Sequence, residues 1–492
     1  MRIGSRGFTQ VRSALALGLL LGSTSVALAQ QPAPAQPAPP AQPGVGAQPA
    51  QPGQPAPPPA ATDQPVEAPP PVQPPPPTPA DLSQAQLEQV RKEMMSMPKL
   101  LESHGYIRSG IGFNARGGEQ VAFRAPGAYS KYRLGNETET YGELGFDINW
   151  MNPEKDATWF KTSLMLAVVA PRFNTFDALN AIAIRQAYAE AGHFLEGKPD
   201  LSVWAGQRFY RRKDVHITDF FFQDMSSYGA GFQDLKLGEG KIKLAVAYLG
   251  ASTEYGDDPI MDPPSDIGRL IKNTLDIRLY DIPAGPGSLE IWLIPTFTAE
   301  GSLDEPSKGG IGGGVFFSMP FMKGFNEISA EFGQGNAAGL NPFVNRGLSN
   351  KSTLFRVVER ATVQLDPKVS MMWTGVLQLD NTNGSADGST GNLWVSAGAR
   401  PVYSFSKYTA IAAEAGVDIV KPEADGSDTG VVGKLTVAPM IRPGTDFWAR
   451  PEIRAFVTAA FWNKSLEGQV GGPAFADDTF GVTAGVQMES WW

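Results

Sequence analysis

From about residue 104 to the last residue, short runs of alternating apolar and polar side chains recur, separated by clusters of Gly, Asn, Asp and Pro. A period of two belongs to a β-strand whose two faces meet different surroundings. Within 141–150, Leu144, Phe146, Ile148 and Trp150 share one face, and Tyr141, Glu143, Asp147 and Asn149 share the other. Within 160–168, Phe160, Leu164, Leu166 and Val168 oppose Lys161 and Ser163. Segments 289–293 and 450–461 repeat the pattern, the latter setting Ile453, Ala455, Val457, Ala459 and Phe461 against Glu452, Arg454 and Thr458. A soluble β-sandwich alternates too. The alternation here continues to the end of the chain without clear helical segments and with aromatics at strand ends. In lipid, strands must close on one another to satisfy every backbone group, and apolar-out, polar-in alternation is the consequence. The final run, Phe480, Val482, Ala484, Val486 and Met488, leads to Trp492 and resembles the insertion signal of outer-membrane barrels. Its parity turns Gln487, Glu489 and Trp491 toward the lumen, where a tryptophan lacks an apolar packing partner.

The first 29 residues read as a secretory leader. Arg2, Arg6 and Arg12 precede a short apolar core, and Ala27-Leu28-Ala29 offers small residues at a peptidase spacing. The apolar run is too short to span a bilayer, and no later segment reaches 18 consecutive apolar residues. Residues 30–80 are almost wholly Pro, Ala and Gln and hold half of the chain's 42 prolines. Such a composition builds no core; it samples polyproline II, with a reach of ~150 Å at full extension. Either a disordered spacer or a periplasmic tether to the cell wall fits. Residues 81–101 read as a short helix: Ser83 and Gln86 make a capping box, and Leu87, Val90, Met94, Met97 and Leu101 make a coiled-coil seam. A trimeric coiled coil and a lone amphipathic helix on a barrel rim both satisfy that pattern.

Composition removes whole classes. With no cysteine there is no disulfide scaffold, thiol catalysis or zinc–thiolate site. Three histidines, His104, His193 and His216, are too scattered for a metal centre, and a net charge of −9 argues against a nucleic-acid partner. No grouping of nucleophile, histidine and acid suggests an enzyme, and no cofactor is expected. Asp380, Asn383 and Asp387 could form a calcium loop, but a solvated hairpin tip is the simpler reading, so no metal is expected.

The residues then point to a family. HGYIRSGIG at 104–112, GGEQ at 117–120, SKYRLGNE at 130–137 and ETY at 139–141 strongly resemble the start of maltoporins. So do WAGQRFY at 204–210 with Asp214, Val215, His216, Asp219 and Phe220; KGFN at 323–326; Arg400-Pro401; WARPEIR at 448–454; and QMESWW at 487–492. The likeness covers residues 103–492, and the N-terminal extension is more like that of sucrose porins. The resemblance implies an all-β fold, an 18-stranded antiparallel transmembrane β-barrel. It also implies a homotrimer among outer-membrane lipids, and passive, sugar-selective diffusion of maltodextrin-type oligosaccharides.

The same resemblance implies a slide of aromatics on which sugar rings stack, placed at Tyr141, Tyr106, Phe325, Trp448 and Trp491, with Phe176 reaching in from a neighbouring subunit. It implies a flanking polar track at Arg108, Arg133, Glu143, Arg185, Arg212, Asp214 and Asp219. Parity agrees in setting Tyr106 with Arg108, Tyr141 with Glu143, and Trp448 with Arg450 and Glu452. A pyranose shows a face of C–H groups to an aromatic plane and hydroxyls to charged groups at its edge. Two positions depart from the family: its constriction tyrosine corresponds to Phe221, and its outer tryptophan to Phe176. Residues 219–223 are expected in an inward-folded third loop. The plainer readings are that barrel aromatics are interface girdles, that Arg212 and Asp214 only neutralise each other, and that His216 is structural. Deleting residues 30–79 separates spacer from tether: solute flux unchanged with envelope attachment lost favours the tether, and attachment retained favours the spacer.

Overall fold

The computed structural model describes residues 100–137, 139–151, 157–170, 181–253, 270–299, 307–345, 347–381, 391–423 and 426–492. The leader, the proline-rich arm, residues 81–99 of the expected helix, Phe176, Asn383 and Asp387 lie outside them. Leu101, which the helical reading includes, instead opens the first strand.

The strands in chain order are β1 (Leu101–Asn114), β2 (Thr140–Met151), β3 (Trp159–Ala170), β4 (Ala181–Gly192), β5 (Ser202–Arg208), β6 (Lys213–Val215) and β7 (Phe220–Gln223). Next come β8 (Ser227–Lys236), β9 (Lys243–Thr253), β10 (Leu270–Ala284), β11 (Gly287–Thr298), β12 (Lys308–Phe321), β13 (Gly324–Gly335) and β14 (Thr353–Asp366). The last are β15 (Val369–Asn381), β16 (Asn392–Ser404), β17 (Thr409–Pro422), β18 (Gly430–Ile441), β19 (Glu452–Trp462) and β20 (Phe480–Trp491). All but β6 and β7 form one 18-stranded antiparallel sheet. It closes because β1 pairs with β2 on one side and with β20 on the other, Tyr106 opposite Trp491. Closure removes both sheet edges, the arrangement that strands in lipid require.

The barrel is inside-out relative to a soluble protein. Along β19, Ile453, Val457 and Phe461 are 62%, 55% and 56% exposed, whereas Glu452, Arg454 and Thr458 are 3%, 1% and 0% exposed. The interior holds Lys272, Asp276, Arg278, Glu331, Arg356, Arg400, Glu414 and Lys434, none above 5% exposed. Two-residue turns follow β10, β12 and β14 at one end of the barrel, and the connections after β1, β5, β13 and β19 at the other end are long. The connections after β1 and β5 fold inward and narrow the bore.

Residues 115–137 form one such strap. The backbone N–H of Leu134 donates to Glu414 at 3.0 Å, and its carbonyl accepts from Lys434 at 2.6 Å and Thr436 at 3.0 Å. The Tyr132 ring lies against paired glycines of β16 and β17, Gly398 opposite Gly416, and its hydroxyl sits 3.0 Å from that of Ser396. A Cβ at Gly398 would come within 2.3 Å of that ring, and one at Gly416 within 2.1 Å. Glycine is needed there for close approach. Gly416→Val therefore should cost about 1–3 kcal/mol through overpacking and free residues 115–137 to protease. Thermal unfolding and limited proteolysis read this; an unchanged melting temperature and digestion pattern would contradict the docking.

Candidate functional site

Four adjacent pieces of wall, β2, β1, β20 and the turn entering β19, supply a continuous aromatic run. Tyr141 and Tyr106 have ring centroids 6.1 Å apart. Tyr106 and Trp491 stack at 6.5 Å with planes 15° apart, and Trp491 meets Trp448 at 6.3 Å and 57°. Register explains the slant of the run: Tyr141 sits opposite Arg108, two residues along β1 from Tyr106, which sits opposite Trp491. Trp448 belongs to the turn between β18 and β19, as does Arg450, so strand parity does not place them; β19 begins at Glu452. Contact with Trp491 places the Trp448 ring instead. All four rings keep exposed or half-buried surface.

Phe325 stands apart. It is the second residue of β13, just after the two-residue turn that follows β12, and β13 is eight strands from β1 in the shorter direction round the sheet. Its ring faces Arg360 at 5.4 Å, and no ring contact joins it to the other four among the described residues. It lines the same end of the barrel as the turn bearing Trp448, on the opposite wall.

Charged groups flank the run. Glu489 accepts from Tyr106 Oη at 2.8 Å and lies 3.0 Å from Arg133, 3.0 Å from Arg450 and 3.2 Å from Arg454. Arg133 also reaches the Tyr106 hydroxyl at 2.6 Å and Glu137 at 2.9 Å. Arg108 pairs with Glu139, lies 3.7 Å from Glu137, and faces the Tyr141 ring at 5.1 Å. Tyr141 donates to Glu143 at 2.5 Å, and Arg185 stands 3.8 Å from that carboxylate. Burial pushes the Glu137 carboxyl up, but Arg108, Arg133 and Lys131 outweigh it and hold the group well below the usual range.

The connection after β5, residues 209–226, carries the β6–β7 hairpin inside the bore. Alternation sends Phe220 and Phe222 to the wall, against Trp394 at 5.0 Å and Phe316 at 6.4 Å. Phe221 takes the other face, half-buried. Lys213 ties the hairpin to Glu290 at 3.2 Å and Glu327 at 3.0 Å, and Arg360 donates to the Asp214 carbonyl. Arg212 lies between two rings, 4.1 Å from the Phe209 centroid and 4.0 Å from that of Phe221. Its ion pair is with Asp224 at 3.3 Å rather than with Asp214. The hairpin explains this: Asp214 is in β6 opposite Phe221, whereas Asp224 follows β7. The Asp214 carboxyl is pushed up by burial against the pull of Arg360. Asp219 occupies the hairpin turn with φ at 54°, a left-handed conformation that Asp tolerates.

Sequence reasoning missed the partnership of His216 with this run. Its ring lies 5.1 Å from Trp448 and 5.6 Å from Trp491, and Arg450 Nη2 stands 3.5 Å from its Nε2. Burial, reinforced by Arg133, pushes the imidazole well below its ordinary value, so it is neutral at pH 7. A folded-state value below the unfolded one gives stability that is complete above about pH 6.5 and lost as pH falls below it. Thermal unfolding between pH 8 and pH 5 should therefore show an acid loss that His216→Gln reduces; an identical pH profile in the variant would contradict the neutral, buried ring.

A family model described as LamB porin matches residues 101–492. Among solved structures, the chain is similar to OccAB1 of Acinetobacter baumannii, at 9% identity over 80% of this chain and 97% of that one, with a TM-score of 0.44. It is also similar to OccK2 of Pseudomonas aeruginosa in complex with glucuronate, at 10% identity over 80% and 98%, with a TM-score of 0.43. Salmonella typhi OmpF in complex with daunomycin gives 10% identity over 80% and 97%, with a TM-score of 0.41. Likeness at that level carries no weight here; the family match does. With residues 101–492 matched and the sheet closed, the chain belongs to the LamB porin family and is a channel-forming β-barrel of the bacterial outer membrane.

Proposed function

We propose that this porin passes oligosaccharides of the maltodextrin type by facilitated diffusion, the sugar rings sliding along Tyr141, Tyr106, Trp491 and Trp448. The observation that carries the reading is the run itself: three steps of 6.1, 6.5 and 6.3 Å between ring centroids on the inner wall, bordered by charged side chains. A saccharide lays its C–H face on such rings, while Arg108, Glu143 and Arg185 on one side, and Arg212, Asp214 and Asp219 on the hairpin, exchange hydrogen bonds with its hydroxyls; Arg133, buried against Tyr106, Glu137 and Glu489, sets the Tyr106 hydroxyl in that track. Each contact has to be weak, since conduction requires release as well as entry. No bond is made or broken, so the role is transport rather than catalysis.

Phe221 is proposed as the steric wall of the constriction, with a preference shifted from that of relatives that keep a hydroxyl there. Phe220 and Phe222 anchor the hairpin, and the Phe221 ring, backed by Arg212, takes the other face. Phe325, on the opposite wall, serves in this proposal as an exit contact. A homotrimeric assembly, with Phe176 reaching into a neighbouring channel, completes the reading.

Single-channel recording tests it. Trp448→Ala and Tyr141→Ala should each weaken block by linear glucans on the order of tenfold, equivalent to ~1.4 kcal/mol of binding, with ion conductance altered far less. Conductance changes with intact sugar block would refute the slide, and the absence of saturable block by any glucan or disaccharide would leave a general porin.

A further inference from the structure

On the lipid-facing wall, away from the strand ends, Glu359 of β14 breaks the apolar pattern among the described residues. Along β14, Phe355, Val357, Glu359 and Ala361 share a face by alternation, and Phe355 is exposed. Glu359 pairs across the ladder with Ile328 of β13, which is also exposed on the outer surface. The basic neighbours Arg356 and Arg360 have the opposite parity and spend their guanidinium groups inside the bore, on Glu331 and Glu327. Glu359 is thus an outward carboxylate whose backbone lies mid-strand and whose head reaches back to donors at the level of Ala361, two residues nearer the turn that follows β14.

It is held, but not neutralised. Its Oε1 accepts from Asn326 Nδ2 at 2.5 Å and from the Trp373 indole N–H at 2.9 Å. Both donors sit on the outward parity of the neighbouring strands, each opposite Ala361. No Lys, Arg or His lies within ion-pair distance of it among the described residues, and Oε2 has no hydrogen bond there. The position fixes the level in the membrane. Asn326 is the third residue of β13 and Trp373 the fifth of β15, both strands rising from two-residue turns, and Phe321 packs edge-on against Trp373 at 6.3 Å. Short turns mark the periplasmic end of such barrels, and outward tryptophan and phenylalanine mark the headgroup level. An ionisable residue at membrane depth calls for a named partner.

We propose that Glu359, Asn326 and Trp373 form a binding site for the primary ammonium headgroup of a phospholipid in the inner leaflet of the outer membrane. The ammonium donates to the free Oε2 and neutralises the carboxylate, the Trp373 and Phe321 rings lie beside the headgroup and upper acyl region, and the apolar band from Ile328 to Phe332 meets the chains. An anionic headgroup with no ammonium meets an unpaired negative charge instead and is disfavoured.

The full-length protein in nanodiscs of mixed phosphatidylethanolamine, phosphatidylcholine and phosphatidylglycerol provides the test, with retained lipids identified by native mass spectrometry after delipidation. The expected result is retention of phosphatidylethanolamine about tenfold over either other lipid, lost in Glu359→Gln and kept in Leu435→Gln, an outward substitution on β18, away from this site. Retention of phosphatidylcholine equal to phosphatidylethanolamine in the unaltered protein overturns the proposal without needing any variant, because a quaternary headgroup lacks the N–H donors. Unchanged selectivity in Glu359→Gln overturns it as well. So does carbodiimide crosslinking of Glu359 to a second copy of the chain, which would make the position a subunit contact.

Discussion

One buried carboxylate organises the candidate site. Glu489, 1% exposed on β20, draws together a tyrosine of β1, an arginine of the first inward strap, an arginine of the turn entering β19 and an arginine within β19. Each partner is then committed elsewhere. The Tyr106 ring stacks on Trp491, Arg133 clasps Glu137, and Arg450 lies over the Trp491 ring at 4.0 Å. A carboxylate taken from water costs several kcal/mol unless every lone pair finds a donor, and here the donors are the same groups that aim the rings. The order of the aromatic run is therefore electrostatic in origin: the charges fix where the flat faces lie.

The same logic runs through the bore. Glu414 joins Arg400, Lys434 and the strap at Leu134, and Lys213 joins the hairpin to Glu290 and Glu327. The long connections are held by ion pairs to inward-facing wall residues and by rings set against that wall, Tyr132 on its glycine pair and Phe220 on Trp394. A barrel of this width would otherwise enclose an open aqueous hole. Filling it with pinned loops leaves a bore whose half-buried surface includes Tyr106, Tyr141 and Phe221.

Much of this was legible in the residues, for a definite reason. Alternation reports which face of a strand a side chain occupies, and it sets Ile453, Val457 and Phe461 outward and Glu489 and Trp491 inward, as the structure has them. It does not report position around the circumference, which depends on the shear of the closed sheet. For that reason the separation of Phe325 from the other rings was hidden. It says nothing of side chains outside strands, so Trp448 and Arg450, in a turn, carried no parity to read. Nor does it give partners: Arg212 looks as near to Asp214 in sequence as a pair could be, yet the hairpin delivers Asp224. His216 gave no periodic signal, and Glu359 stood in a strand whose outward polarity only the ladder with Ile328 makes plain.

The proposed path of a saccharide through this channel is the surface of the inward rings. An electron cryo-microscopy map of the reconstituted channel soaked with a linear glucan tests it most directly. Sugar density lying flat on Tyr141, Tyr106, Trp491 and Trp448, with hydroxyls directed at the flanking charged groups, is the expected result. Density elsewhere in the bore with these four rings bare, or the rings turned outward to lipid, would contradict it.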